Sequence, residues 1–172
     1  MDNLLNDSKE LQELRKMIFI TGYKGGIAHL ASCYSSLEVI YTLYMKDVMR
    51  LDIKNPEWKD RDRFILSKGH AGLALYGVMV KKGLMAAKEY NSYLSGYSCI
   101  GGEPCMRDCQ WVEATTGSLG HGLPIAAGMA MALKADNSPA KVYVMVGDGE
   151  CEEGTIWEAA MSASAFRLDN LV

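Results

Sequence analysis

The chain has 172 residues, of which 49% are hydrophobic and 23% charged, and its formal net charge is −3. This length and composition support one globular domain over residues 1–172 with its own core, and they exclude intrinsic disorder. The slightly negative charge argues against nucleic-acid binding, which needs clustered Lys and Arg. Because no apolar run approaches the roughly 20 residues that cross a bilayer, we expect no membrane span.

The amino terminus and the cysteines indicate the cellular compartment. The first residues are acidic and polar, unlike a signal peptide. The five cysteines are odd in number and lack C-x-x-C spacing, so neither a disulfide framework nor a common zinc site is indicated. We therefore expect reduced thiols in a cytoplasmic protein.

The first part of the chain is predicted to be helical. Asp7 and Glu10 fit a capping box, in which an N-cap acceptor is followed three residues later by an acid, and would begin the first helix. A glycine-rich stretch at residues 22–26 would interrupt it, and a second helix would open at residues 35–38.

The middle of the chain combines one strand with helices and a long loop. Residues 64–66 are a short strand candidate. A third helix is predicted at about 71–82, where Gly83 would stop it, and a weaker fourth at about 86–94. Residues 96–116 show no periodicity, and loops of this length inside a compact domain are often functional.

The last part reads as a strand, a turn, a helix and a further strand. Residues 119–134 predict a helix whose many Gly and Ala residues require close neighbours. The apolar run 142–146 is typical of a strand buried on both faces. A glycine turn, a helix at 154–166 and a strand beginning at 170 complete a βαβ unit. The predicted class is α/β, with a parallel sheet and flanking helices.

The strongest local motif is the turn Gly147-Asp148-Gly149 at the end of the buried strand. Open α/β sheets bind ligands at the carboxyl ends of their strands. The two glycines allow the backbone to approach a ligand closely. The amino terminus of the following helix has free N–H groups that suit a phosphate. Asp148 is placed to hold a cation such as Mg²⁺. The spacing excludes the G-x-G-x-x-G and P-loop motifs. The alternative is a structural turn in which Asp148 caps the helix.

The three histidines share a local pattern. His29, His70 and His121 each follow a glycine by one to three positions. An imidazole next to glycine backbone suits proton transfer and contact with anions near neutral pH. The alternative is structural: a lone His at a strand end seldom has a catalytic role, and Thr116 and Ser118 could simply cap the helix after them.

Four segments carry a family resemblance: His29 with the helix opening at 35–38, residues 62–70, residues 116–122 and residues 147–159. Together they resemble the N-terminal, pyrophosphate-binding domain of transketolase. The resemblance is closest to the two-subunit transketolases, in which this domain is a separate polypeptide. It covers nearly the whole chain, and it implies a thiamine diphosphate-binding fold, incomplete at its carboxyl end, with thiamine diphosphate and Mg²⁺ as cofactors.

The resemblance assigns cofactor contacts to particular positions. Asp148 would bind Mg²⁺, and the backbone N–H of Gly149 would contact the pyrophosphate. Gly117 and Leu119 would lie along the cofactor, with Leu119 near one of its rings. His70 would contact the pyrophosphate or the substrate hydroxyls.

The resemblance also implies the reaction. His29 and His70 would face the reacting centre, and Glu153 would lie at a subunit interface beside an acid of the partner domain. The cofactor would serve as electron sink while a two-carbon ketol unit passes between sugar phosphates.

A C-terminal, pyrimidine-binding transketolase subunit is the implied partner in a homo- or hetero-oligomer. Two alternatives stay open. One is an inactive remnant that acts only by assembly. The other is a related enzyme of the 1-deoxyxylulose-5-phosphate synthase or dihydroxyacetone synthase type.

Two features depart from the family pattern. Glu103 stands where the family has a histidine that reaches the substrate, so either the alignment slips or the substrate differs. Cys99, Cys105 and Cys109 surround it, with poor spacing for a metal. The rest of the Mg²⁺ shell would come from a loop shortly beyond Val172, so the 172-residue chain alone is expected to bind the cofactor weakly and to be inactive.

Overall fold

A computed structural model describes residues 2–26 and 28–172. The chain forms two compact units. The first consists of Met1–Val48 and His70–Glu103, and the second of Met49–Gly69 and Pro104–Val172. None of the helices in the described ranges is both long and apolar enough to cross a membrane.

The first unit is helical. Its helices are α1 (Asp2–Gly25), α2 (Leu30–Met45), α3 (Gly72–Lys82) and α4 (Ala87–Asn91). The first three pack against one another, and α4 packs on α3. Gly83 ends α3 as predicted, with φ at +84° and its N–H bonded to the Met79 carbonyl.

The predicted starts of the first two helices are wrong. Helix α1 already includes Asp7, whose carboxylate accepts hydrogen bonds from the Tyr41 hydroxyl and the Lys46 ammonium instead of capping. Helix α2 begins at Leu30, and the hydroxyls of Ser35 and Ser36 donate to the Ser32 carbonyl inside the helix. The side chains that resembled helix caps therefore have other partners. Asp7 bonds to residues far along the chain, and the serine hydroxyls bond back to a carbonyl of their own helix.

The second unit is an α/β arrangement. Strand β1 (Arg63–Leu66) pairs in parallel with β2 (Val142–Met145), with Arg63 opposite Val142. Helix α5 (Gly122–Ala135) packs on both strands, and α6 (Gly154–Ala165) packs on α5. The buried centre of the unit is formed by small and branched side chains: Ile65, Ala114, Ala126, Ala127, Ala130, Val142 and Leu168.

Strand β2 has neighbours on both edges. The N–H of Val142 donates to the Asn170 carbonyl at 2.8 Å, and that of Val144 donates to Val172 at 2.9 Å. A parallel bridge joins Val142 to Leu171, which confirms the further strand predicted there. Val142 is buried, but the rest of the strand is only partly buried, so the prediction of burial on both faces is wrong.

The long loop is also as predicted. Between Asn91 and Gly122, a stretch that the structure describes in full, there is no helix or strand.

Candidate functional site

The turn after β2 presents unused polar groups. Asp148 and Gly149 are exposed, and a short 3-10 turn, Gly149–Glu152, leads towards α6. Asp148 precedes this turn but makes no side-chain capping bond, which removes the structural alternative for its carboxylate. Within the described chain neither that carboxylate nor the Gly149 N–H has a hydrogen-bond partner. A Cβ added to Gly149 would meet no atom within 4 Å, so the turn faces open space.

Glu150 holds this turn in place from inside. Its side chain is only 2% exposed. One carboxylate oxygen accepts the Gly147 N–H at 2.9 Å, and the other accepts the Gly120 N–H at 2.9 Å and the Ser67 hydroxyl. No sequence pattern pointed to Glu150, because two of its three partners, Gly120 and Ser67, lie far away in the chain.

The loop before α5 lies directly against the end of β1. A Cβ on Gly69 would lie 2.8 Å from the Gly117 nitrogen, so the two backbone segments can approach this closely only because residue 69 has no side chain. The Thr116 hydroxyl donates to the Leu66 carbonyl at 2.7 Å, and Leu119 is 38% exposed.

The structure does not show the structural alternative in which Thr116 and Ser118 cap α5. The Thr116 hydroxyl is bonded to the Leu66 carbonyl of β1, and His121 occupies the N-cap position without a side-chain capping bond. The first helical N–H, that of Gly122, instead donates to the Ser67 hydroxyl at 3.0 Å. His121 is exposed, and its Nδ1 lies 3.0 Å from the Leu119 carbonyl oxygen.

Glu153 lies beside the same loop. It is exposed and precedes α6 in an extended conformation, without a side-chain capping bond. A Cβ on Gly120, whose φ is +84°, would lie 2.8 Å from the Glu153 Cβ. The Thr155 hydroxyl donates to the Gly120 carbonyl at 2.7 Å and fixes α6 to this loop.

In the first unit, His29 and His70 form a pair. Their rings meet edge to face with centroids 5.3 Å apart and an interplanar angle of 65°. His29 is exposed just before α2, and His70 is half-buried in the 3-10 turn before α3. The structure therefore brings together two of the residues that the sequence analysis selected.

Glu103 and the cysteines of the long loop differ in their exposure. The Glu103 side chain is exposed, and its carbonyl accepts the Tyr76 hydroxyl at 3.0 Å. Cys99 is exposed, while Cys105 and Cys109 are half-buried, and no disulfide joins any of the five cysteines, all of which lie in the described ranges. Among the residues that the structure describes, no group of three or more His, Cys, Asp or Glu is arranged to hold a metal ion.

Helices α5 and α6 leave apolar side chains uncovered. Trp157 and Met161 are 62% and 67% exposed. Phe166 and Met131 border a groove of about 410 Å³ between the two helices. We call this set of uncovered apolar side chains on and after the two helices, Met131, Trp157, Met161 and Phe166, the α5–α6 face.

Comparison with known proteins identifies a family. Residues 14–172 match the family described as "Transketolase, thiamine diphosphate binding domain". The chain is 40% identical over 159 residues to a 6-deoxy-6-sulfo-D-fructose transketolase subunit from Clostridium sp. (strain MSTE9), covering 92% of this chain and 58% of that protein. It is 41% identical over 164 residues to an apulose-4-phosphate transketolase subunit from Phocaeicola vulgatus, covering 92% and 56%.

The same relationship extends to longer transketolases. Human transketolase is 40% identical over 148 residues, which are 86% of this chain and 23% of that protein. The chain thus spans less than two thirds of the subunit relatives named above and about a quarter of the human enzyme.

Solved structures agree with this assignment. Transketolase from Pichia stipitis, in a complex with sedoheptulose 7-phosphate, superposes with a TM-score of 0.83 at 29% identity, covering 96% of this chain and 26% of that one. Transketolase from Campylobacter jejuni gives 0.83 at 30% identity, covering 94% and 27%. The chain belongs to the transketolase thiamine diphosphate-binding domain family and has the α/β fold of that domain.

Proposed function

We propose that this chain is the pyrophosphate-binding subunit of a transketolase-type enzyme that transfers a two-carbon ketol unit between sugar phosphates. One observation carries the proposal: the turn after β2 offers a free carboxylate on Asp148 and a free N–H on Gly149 within a chain of this family. Relatives named as transketolases favour this activity over the 1-deoxyxylulose-5-phosphate synthase and dihydroxyacetone synthase alternatives.

The residues at this turn fit thiamine diphosphate with Mg²⁺. The open space at Gly149 admits a phosphate group, which its N–H would bind. Mg²⁺ is usually held by one or two carboxylates together with phosphate oxygens. We therefore assign Asp148 to the cation, and Gly117 and the exposed Leu119 to the remainder of the cofactor.

His29 and His70 are the proposed proton-handling groups. Two imidazoles 5.3 Å apart can pass or share protons with a bound hydroxyl near neutral pH. His70 would also contact the pyrophosphate. The cofactor, when bound, supplies an electron sink for the cleaved carbon–carbon bond, and the histidines orient the substrate and move its protons.

We propose a separate pyrimidine-binding transketolase chain as the partner. The relatives named as subunits support this, and so do the uncovered apolar side chains of the α5–α6 face. Exposed apolar patches of this kind are typical of protein interfaces. Glu153, exposed at the start of α6, would lie at that interface beside an acid of the partner.

A calorimetric titration tests the cofactor site. Thiamine diphosphate is titrated with Mg²⁺ into the complex of this chain with its partner, and into complexes carrying Asp148→Asn or Glu152→Gln. Glu152 is an exposed acid of the same turn and serves as the matched control. We expect binding to fall at least about tenfold in Asp148→Asn, the loss that follows from one charged ligand, and to be unchanged in Glu152→Gln. Equal binding by all three complexes would refute the assignment.

A further inference from the structure

We propose that Glu150 is a positioning residue that clamps the cofactor turn to the loop before α5, so that both are preformed. The proposal rests on the proposed function and deepens it. Glu150 is itself the second residue of the 3-10 turn, yet its carboxylate points inward and is 2% exposed. No cofactor contact is assigned to it; it acts through the backbone that carries Asp148 and Gly149.

Three donors meet at this carboxylate. The Gly147 N–H at 2.9 Å fixes the residue just before Asp148. The Gly120 N–H at 2.9 Å fixes the loop that carries Gly117 and Leu119. The Ser67 hydroxyl, at the end of β1, is the third donor. One side chain therefore ties together the ends of both strands and the loop before α5.

The hydrogen-bond pattern uses both oxygens of the Glu150 carboxylate as acceptors. Ser67 Oγ accepts the Gly122 N–H at 3.0 Å, so its own hydrogen is directed to Glu150. Glu150 thus accepts from all three of these partners and donates to none of them. An ionised carboxylate buried in this way is costly unless hydrogen bonds satisfy it.

The clamp also decides which backbone groups remain for an anion. The N–H groups of Gly120 and Gly122, at the amino terminus of α5, are bonded to Glu150 and Ser67. The negative charge of Glu150 already complements the dipole of α5 there. The N–H of Gly149, by contrast, has no partner in the described chain. Glu150 therefore occupies the Gly120 N–H itself and leaves the Gly149 N–H available to a phosphate group.

Glu150→Gln is the sharpest substitution, because it keeps the shape and changes the donor pattern. An amide has one acceptor oxygen, so its NH₂ must face either the Gly147 N–H or the pair formed by Gly120 and Ser67. Amide hydrogen exchange by NMR on the 172-residue chain measures the result without any cofactor. We expect protection of Gly147, Gly120 or both to fall about tenfold or more, while Val142 and Val144 in β2 stay protected.

Glu152→Gln is the matched control and should change neither amide. In the enzyme assembled with its partner, Glu150→Gln should raise the thiamine diphosphate concentration for half-saturation about tenfold, with kcat at saturating cofactor changed much less. Unchanged exchange at Gly147 and Gly120 would overturn the clamp. Loss of exchange protection with unchanged cofactor affinity would overturn its positioning role.

Failure of the proposed function has a different signature, since the unsubstituted assembly would then not bind thiamine diphosphate. Should Glu150→Gln not fold, Ser67→Ala decides instead, because it removes one donor to Glu150 and the acceptor of Gly122. Lost protection at Gly120 and Gly122 with weaker cofactor binding supports the clamp, and unchanged values overturn it.

Discussion

Gly122 and Ser67 are in such close contact that a Cβ on Gly122 would lie 2.3 Å from the Ser67 Oγ. The first residue of α5 thus rests directly on the residue that follows β1, and its N–H donates to the same oxygen. Helix and strand are joined here without any room for a side chain.

Gly122→Ala should therefore destabilise the chain. Crowding of a packed site typically costs about 1–3 kcal/mol, and here the hydrogen bond to Ser67 is disturbed as well. Gly128→Ala, in the same helix, is the control, because its Cβ would meet nothing within 4 Å. That substitution should raise the free energy of unfolding by about 1 kcal/mol through helix propensity. Urea denaturation measures the unfolding free energy of both variants. Equal changes in Gly122→Ala and Gly128→Ala would contradict the close packing of Gly122 on Ser67.

The histidine pair should matter for turnover. In the enzyme assembled with its partner, His70→Ala is expected to lower kcat about 10²–10⁴-fold, the usual size of a general acid–base contribution. His70→Asn keeps hydrogen-bonding groups but cannot titrate near neutral pH, so it should recover little activity. Steady-state kinetics across pH makes the measurement. A kcat unchanged in both variants would leave His70 a structural residue.

Tyr41 makes stability sensitive to alkaline pH. Its hydroxyl donates to Glu10 at 2.8 Å and to Asp7 at 3.2 Å. Burial, followed by the bonds to these two acids, raises the pKa of Tyr41 above its usual value. The tyrosine's contribution is complete below its unfolded pKa of about 10 and is lost progressively as the pH rises beyond it.

Tyr41→Phe tests this dependence. At pH 7 the substitution should cost about 1–3 kcal/mol of unfolding free energy, the worth of hydrogen bonds to charged groups. Between neutral and alkaline pH, however, the variant should lose less stability than the parent chain. Tyr97→Phe is the control, since Tyr97 is 98% exposed. Parallel pH curves for parent and Tyr41→Phe would show that this hydroxyl does not titrate abnormally.

The α5–α6 face should carry assembly. Met161→Glu is expected to abolish association with the partner chain while leaving the unfolding free energy of the isolated chain nearly unchanged, because Met161 is 67% exposed. Ile53→Glu, at an exposed apolar residue outside the face, should leave association intact. Analytical sedimentation distinguishes these outcomes. If the unsubstituted chain sediments as an 18.9 kDa monomer and binds no partner, the proposed interface is wrong.

Local patterns in the sequence predicted most of the elements, because apolar periodicity and glycine stops are read within one segment. Helix α3 and its stop at Gly83, strand β1, and the order strand, turn and α6 all agree with the structure. The errors share a physical cause. Asp7 and Thr116 resembled local caps, but each bonds to a residue far along the chain.

In the candidate site too, the sequence pointed to residues with a local signal and not to the residue whose partners are mostly distant. The sequence pointed to Asp148 in a glycine turn, and the structure shows it exposed there. It also pointed to His29 and His70, which the structure pairs. Glu150 could not be found this way. Its importance comes from burial and from donors at Ser67 and Gly120, which only the folded chain brings to it.

The parallel pairing of β1 with β2 has a consequence for how the chain folds. Residue 63 pairs with residue 142, so β1 leaves the ribosome long before its partner strand exists. At about 5–20 residues per second, that delay is roughly 4–16 seconds. The last residue of the helical first unit is Glu103, so that unit is synthesised in full before β2 is made, whereas β1 (Arg63–Leu66) belongs to the unit that is finished last. Folding of the second unit is therefore limited by late, non-local pairing, and low synthesis temperatures or chaperones should raise its yield.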